Sequence, residues 1–291
     1  MAKRALELVF CHKCCGFGFF FVLLQGKWTK GLLIVKKKKG TMRISLLQSD
    51  VAWADVEENI RRADRLIDAH AGAELYVLPE MFSTGFATDP QGIAEPAEGP
   101  ALSWMKQKAA ATGAAMAGSV ATAADGRFFN RFYFVKPSGE VVSYDKRHLF
   151  SYAGEHERYS RGEERVVVEW LGVRILLQVC YDLRFPVFSR NRGDYDLVLY
   201  VASWPQSRRR VWDVLLRARA LENQCYVAGV NRVGDDPQCH YDGGTVLINA
   251  YGRDLATCQD EEACVCSGEI DIEALRAFRK KFPVLQDADQ V

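Results

Sequence analysis

The chain has 291 residues, 48% of them hydrophobic, and a formal net charge of +1. That length supports a sizeable core within one layered domain, and the near-neutral charge excludes both the basic field of a nucleic-acid binder and an acidic tail. The nine cysteines are odd in number and spread along a long chain, which excludes a small secreted disulfide scaffold and points to a reduced, cytoplasmic setting.

The first forty residues do not resemble the rest. Met1 to Arg4 is basic, Cys14 to Leu24 is largely apolar, and Lys36 to Lys39 is a basic run. A signal anchor would have this outline. However, the apolar run is too short to span a bilayer, it contains Gly16 and Gly18, and no small-residue cleavage site follows it. Residues 1–41 are therefore expected to be an extension outside the domain, from an upstream start, with the folded domain covering 42–291 and no membrane association. The Cys11-x-x-Cys14-Cys15 group with His12 lacks a second half, so no zinc site, and no other metal or cofactor, is expected.

Ile44 to Gln48 reads as a first strand. Ala54 to Ala71 follows as an amphipathic helix with Val56, Ile60, Ala63 and Ile67 on one face, ended by Gly72. Leu75 to Leu78 is a second buried strand that runs into Pro79-Glu80. A loop over Gly85 to Pro100 leads to a helix near Ala101–Thr112 and a strand over Ala114–Ala121. Arg127–Val135 and Glu140–Tyr144 form a hairpin that runs out into Asp145-Lys146-Arg147-His148. The polar loop Ser151–Gly162 carries Glu155. Val166–Trp170 and Val173–Val179 make another hairpin, which delivers Cys180 into a sharp break, and Phe185-Pro186 can start a helix. Asp196–Ala202 is a strand, Ser207–Gln224 a helix with Ser207 as N-cap, and Cys225–Val230, Gly244–Asn249 and Cys264–Ile270 are strands. Asp235 to His240 reads as a mobile loop on the pocket side. Ile272–Lys281 closes the chain as a helix stopped by Pro283. This alternation predicts an α/β fold in one domain, a sheet covered by helices.

Three strands thus deliver Glu80, Lys146 and Cys180 at their C-terminal ends, where sites form in open α/β sheets. Singly, each has a plain reading: a first-turn acid, a solvated lysine, a small buried hydrophobe. Together they can hydrolyse an amide. A thiolate attacks the carbonyl carbon, and the strand-to-helix turn lowers the thiol pKa. A carboxylate takes the proton and passes it to the leaving nitrogen, help worth roughly 10²–10⁴-fold. An ammonium and the backbone N–H of Tyr181 face the oxyanion, each such donor being worth about 3–4 kcal/mol. A Cys–His arrangement through His148, two residues beyond Lys146 on an extended arm, is the rival reading. A non-catalytic scaffold is another.

Leu78-Pro79-Glu80-Met81-Phe82, Tyr144-Asp145-Lys146-Arg147-His148-Leu149-Phe150 and Cys180-Tyr181-Asp182-Leu183-Arg184-Phe185-Pro186 resemble the three motifs of the nitrilase, or carbon–nitrogen hydrolase, superfamily across about residues 42–285. The resemblance implies a four-layer α-β-β-α sandwich that forms a homodimer. It implies Glu80 as general base, Lys146 as the oxyanion-side cation and Cys180 as nucleophile. Glu155, in Gly154-Glu155-His156-Glu157, matches the superfamily's second glutamate, which orients the lysine; Glu157 is less well placed. Ala202-Ser203-Trp204-Pro205-Gln206-Ser207-Arg208, Leu216 to Val227 and the Phe282 to Asp289 ending resemble the bacterial omega-amidases. This implies a small-molecule amide substrate, a 2-oxo dicarboxylic acid monoamide, whose carboxylate needs a donor. Phe82, Trp204, Arg184 and Arg208 are candidate pocket residues, although Arg184 and Arg219 could instead pair with Asp182 and Glu222. An N-carbamoyl amine, a nitrile or a deaminated glutathione is the alternative acyl donor.

Overall fold

The computed structural model describes residues 19–24, 27–32 and 40–289. The chain divides into two units, Met1–Lys39 and Gly40–Val291. In the first, β1 (Phe19–Leu24) pairs antiparallel with β2 (Lys27–Leu32). The Cys11, His12, Cys14 and Cys15 group lies outside the described residues.

The second unit runs β3 (Thr41–Gln48), α1 (Val56–Ala69), β4 (Leu75–Val77), β5 (Glu95–Pro96), α2 (Pro100–Thr112), β6 (Ala115–Ala124), β7 (Arg127–Val135) and β8 (Val141–Asp145). It continues through α3 (Glu155–Arg158), β9 (Val167–Trp170), β10 (Val173–Val179), α4 (Pro186–Ser189), β11 (Leu197–Val201), α5 (Arg209–Glu222) and β12 (Tyr226–Val230). It ends with β13 (Val233–Asp235), β14 (His240–Asp242), β15 (Val246–Ile248), β16 (Asp254–Thr257), β17 (Cys264–Asp271) and α6 (Ile272–Lys281).

Two sheets of similar design result. One has the order β17-β3-β4-β6-β7-β8, with β5 added to β6; the other has the order β16-β15-β12-β11-β10-β9. In each, three parallel strands form the centre, β3, β4 and β6 in one and β10, β11 and β12 in the other, and antiparallel strands flank them. Strand parity sorts the side chains. Ile44, Leu46, Leu75, Val77, Phe132 and Phe134 of the first sheet share one core with Ile175, Leu177, Val179, Leu199 and Val201 of the second. The opposite parity faces helices: Leu47, Tyr76 and Met116 pack with Ala63, Ile67, Leu102 and Met105 of α1 and α2. Leu176, Val198 and Val227 pack with Trp212, Leu216 and Ala220 of α5. Both faces of each sheet are therefore buried, as parallel sheets require, and the layers are α-β-β-α.

Helix ends follow local chemistry. Asp55 caps α1 by accepting from the Glu58 N–H at 3.0 Å, and Gly113 closes α2 in the left-handed region. Gly229 of β12 lies so close to α5 that a Cβ there would meet Leu216 Cδ1 at 2.4 Å.

The structure corrects three expectations and adds one strand. The first helix is shorter than Ala54–Ala71. Ser207 does not cap α5: Gln206–Arg208 is a 3₁₀ turn, and the helix starts at Arg209 without a side-chain cap. The stretch from Asp235 to His240 is not an open loop but the turn of the β13–β14 hairpin, tied by Asp236, which accepts from the N–H groups of Gln238 and Cys239 and from the Tyr241 hydroxyl. Asp254–Thr257 is a strand that polar composition concealed.

Candidate active site

The strands β4, β6 and β8 share one direction, since β7 reverses between the last two. Glu80 follows the end of β4, Lys146 the end of β8 and Cys180 the end of β10. The backbone is strained at two of these points. Cys180, at the start of a 3₁₀ turn over Cys180–Arg184, has φ 44°, and Met81, directly after Glu80, also has φ 44°. Non-glycine residues in this region cost free energy and cluster at functional sites. At Cys180 this conformation carries the chain from β10 into the 3₁₀ turn, with the side chain packed against the core on both faces of the sheet.

Glu80, Lys146 and Glu155 have no exposed surface. Lys146 Nζ donates to Glu80 Oε1 at 3.0 Å and to Glu155 Oε1 and Oε2 at 3.1 and 2.9 Å. Asn130, on β7 opposite the lysine, donates from Nδ2 to Glu80 Oε1 at 2.7 Å and to Glu155 Oε1 at 3.2 Å. The Ser203 N–H, after β11, donates to Glu80 Oε2 at 2.8 Å, and the Phe150 N–H to Glu155 Oε2 at 2.6 Å. Glu155 is buried while Glu157 is exposed, because α3 turns only the first of them inward.

The charges explain the protonation tendencies. Burial opposes the charge on Lys146, but Glu155 and Glu80 outweigh it and hold the ammonium above the ordinary lysine range. Burial raises the Glu155 carboxyl; Lys146 pulls it down and Glu80 pushes it up. Cys180 is pushed well above the ordinary thiol range, first by desolvation and then by the charge of Glu80, with Lys146 pulling the other way. The thiol pKa is thus raised, not lowered as the strand-to-helix break suggests. Burial of the sulfur, with the Glu80 charge added to it, raises the thiol. Such a cysteine is held as a thiol.

Cys180 opens on a small cavity of about 50 Å³, lined also by Tyr181, Lys146, Ser203, Trp204, Arg184 and Arg208. The Arg184 guanidinium lies over the Trp204 ring at 5.2 Å and that of Arg208 over Phe150 at 5.3 Å. Among the described residues, no ion pair engages either one. Asp182 instead joins the lysine and cysteine arms: it accepts from the Val179 N–H and the Tyr144 hydroxyl through Oδ2, and from the His148 N–H and Nδ1 through Oδ1. Arg219 does pair with Glu222, at 2.9 Å. Phe82 does not line the cavity; it sits in the outer layer against Trp104, ring centroids 5.7 Å apart. His148 is held by Asp182 and stacked on Phe185 at 4.0 Å, and it does not line the cavity onto which the thiol opens. Asn130, Asp182 and the Ser203 N–H are the site groups that motif reasoning missed. A polar residue on the inward parity of β7, among Phe132 and Phe134, was the available signal for Asn130.

A four-layer α-β-β-α sandwich with a carboxylate, an ammonium and a thiol gathered at one rim is the architecture of an amidase that cleaves carbon–nitrogen bonds. The family model described as carbon-nitrogen hydrolase matches residues 43–280, and the chain belongs to that family. It is 47% identical over 251 residues to the omega-amidase YafV of Yersinia enterocolitica, covering 86% of this chain and 98% of the relative. It is 36% identical to the 2-oxoglutaramate amidase of Bacillus subtilis, covering 84% and 96%. Among solved structures, XC1258 of Xanthomonas campestris, a CN-hydrolase superfamily protein with an arsenic adduct in the active site, superposes with a TM-score of 0.84 at 44% identity, covering 86% and 98%. Among the described residues, no helix is long and apolar enough to cross a membrane.

Proposed function

We propose that this enzyme is an omega-amidase that hydrolyses the terminal amide of 2-oxoglutaramate or 2-oxosuccinamate, giving the 2-oxo diacid and ammonia, with Cys180 as nucleophile, Glu80 as proton carrier, and Lys146 with the Tyr181 N–H facing the oxyanion. The observation that carries the reading is charge layout. The floor holds two carboxylates against one ammonium, a formal charge of −1 at Glu80, Lys146 and Glu155, whereas the wall offers two guanidiniums, Arg184 and Arg208, in no ion pair among the described residues, against one carboxylate, Asp236, which is taken up by the Gln238 and Cys239 N–H groups and the Tyr241 hydroxyl. A neutral amide belongs at such a floor and an anionic tail at such a wall.

Sγ bonds to the amide carbon as its proton passes to Glu80, and the oxyanion forms facing Lys146 and the Tyr181 N–H. The C–N bond breaks as Glu80 returns that proton to the nitrogen, releasing ammonia and leaving a thioester. Water then attacks the thioester carbon, giving a proton to Glu80, which passes it to the departing sulfur. Glu155 holds the lysine throughout. The lines of support are the buried contacts of Glu80 and Lys146 and the names of the relatives.

The same proposal places the hydrolase domain at residues 42–291 with 1–41 outside it, and has the enzyme act as a cytoplasmic homodimer. Ammonia release from both substrates by the full chain, by a chain trimmed to 42–291 and by Cys180→Ala tests it, with sedimentation reporting the oligomer. Turnover in the first two and none in the third is expected. A folded wild-type protein that releases no ammonia from either substrate overturns the substrate assignment.

A further inference from the structure

We infer that Asn130 is a positioning residue that, with Lys146, fills one oxygen of Glu80 and so leaves Oε2 as the atom that takes the Cys180 proton. The inference rests on the Glu80–Cys180 reading and extends it to single atoms.

A carboxylate offers about four acceptor positions, two on each oxygen. Glu155 has all of them occupied: Oε1 by Lys146 and Asn130, Oε2 by Lys146 and the Phe150 N–H. Glu80 Oε1 is likewise full, with Asn130 Nδ2 at 2.7 Å and Lys146 Nζ at 3.0 Å. Glu80 Oε2 has one donor, the Ser203 N–H at 2.8 Å. One acceptor position therefore remains across the two buried carboxylates, and it lies on Glu80. The count separates the base from its near twin without reference to motif. Proton transfer then runs from Sγ to Oε2 and from Oε2 to the leaving nitrogen.

Asn130 is what closes the count. Without its amide, each glutamate gains an open position on Oε1, and the proton has two further places to settle. Its orientation is fixed, since both neighbours are carboxylate oxygens that accept only, so Nδ2 must face them. The cost appears at the other end, where the buried Oδ1 has no partner. Native proteins leave few such atoms, and a side chain selected for packing alone would not carry one. The same residue also fixes the lysine's backbone, its carbonyl accepting from the Lys146 N–H at 3.0 Å.

The test uses the full chain with Asn130→Leu, which keeps the shape and removes both donors, and Asn130→Ser, which keeps a single hydroxyl donor on a shorter stem. Loss of a hydrogen bond to a charged group predicts a fall in kcat of about 10- to 100-fold for the leucine variant, with KM changed by less than about threefold. The acid limb of the pH profile moves to higher pH, because a donor that favours the ionised carboxylates is gone. The serine variant falls between. Unfolding midpoints establish that each variant is folded, and if the leucine variant does not fold, the serine variant decides alone. A folded variant with wild-type kcat and acid limb, or with a loss confined to KM or to thermal stability, overturns the inference. Failure of the underlying reading shows separately, as ammonia release that survives Cys180→Ala.

Discussion

Lys146→Met removes the ammonium and keeps most of its stem volume. In the native protein Nζ lies 3.0 Å from Glu80 and 2.9 Å from Glu155, and all three side chains are fully buried. The variant therefore confines two carboxylates without a counter-charge. Removing one partner of a buried pair costs about 3–5 kcal/mol, and for a domain of this size each kcal/mol shifts Tm by about 2–4 °C, so a loss of about 6–20 °C is expected. The pH dependence has a definite sign. The Glu155 carboxyl already sits above its ordinary value through burial, and losing Lys146 raises it further. A group raised in the folded state contributes stability that is fully present below its unfolded pKa and lost as pH rises through its folded value. The deficit should be smallest in mild acid and grow towards alkaline pH. Lys146→Met/Glu155→Gln removes one of the stranded charges and should recover most of the loss while staying inactive. Thermal unfolding followed by circular dichroism across pH gives all three curves. A single variant within about 1 kcal/mol of wild type near neutral pH, or a double variant no more stable than the single, would refute the electrostatic account of the site.

Arg184→Gln and Arg208→Gln each remove a guanidinium from the cavity wall. They should raise KM for the 2-oxo diacid monoamides by about 10-fold or more while barely changing the hydrolysis of a neutral amide; equal effects on both substrates would remove these residues from carboxylate binding. His148→Asn should retain substantial turnover, because its ring is committed to Asp182 and Phe185, and near-complete loss would restore the Cys–His reading. Asp196 is buried, which raises its pKa, yet Arg174 and Arg279 hold it below the ordinary range. Its contribution is therefore present above its unfolded pKa and lost as pH falls through the folded one. Asp196→Asn should cost about 1–3 kcal/mol in urea unfolding near neutral pH, with the gap to wild type closing in acid; a pH-independent gap would contradict the assignment.

The positions of Glu80, Lys146 and Cys180 were legible because each follows an apolar or alternating run, and such runs end at the rim of a sheet whatever the tertiary detail. Glu155 was legible only by motif, since nothing in a polar loop announces that its first helical residue turns inward. Phe82 was misplaced because the left-handed Met81 breaks the parity after Glu80 and sends the ring to the helical layer. A strand-to-turn break is visible in sequence and suggests a lowered thiol, whereas the burial of the sulfur and the approach of Glu80 from the other sheet, which raise it, are not. Asn130 and Asp182 depend on contacts 25 to 50 and 34 to 38 residues away. Local periodicity carries no record of such pairings. The β13–β14 hairpin was partly signalled by Asp236-Pro237, a turn-favouring pair; what the sequence does not show is that the Asp236 side chain and its N–H, bonded to the Cys239 carbonyl at 2.9 Å, tie the turn.

The most direct measurement is rapid acid quenching of the enzyme with 2-oxosuccinamate, followed by peptide mass spectrometry. The account predicts an acyl adduct, the substrate less ammonia, on the peptide bearing Cys180, and neither adduct nor ammonia with Cys180→Ala. Turnover without any adduct on that peptide, together with ammonia release by the alanine variant, would contradict it.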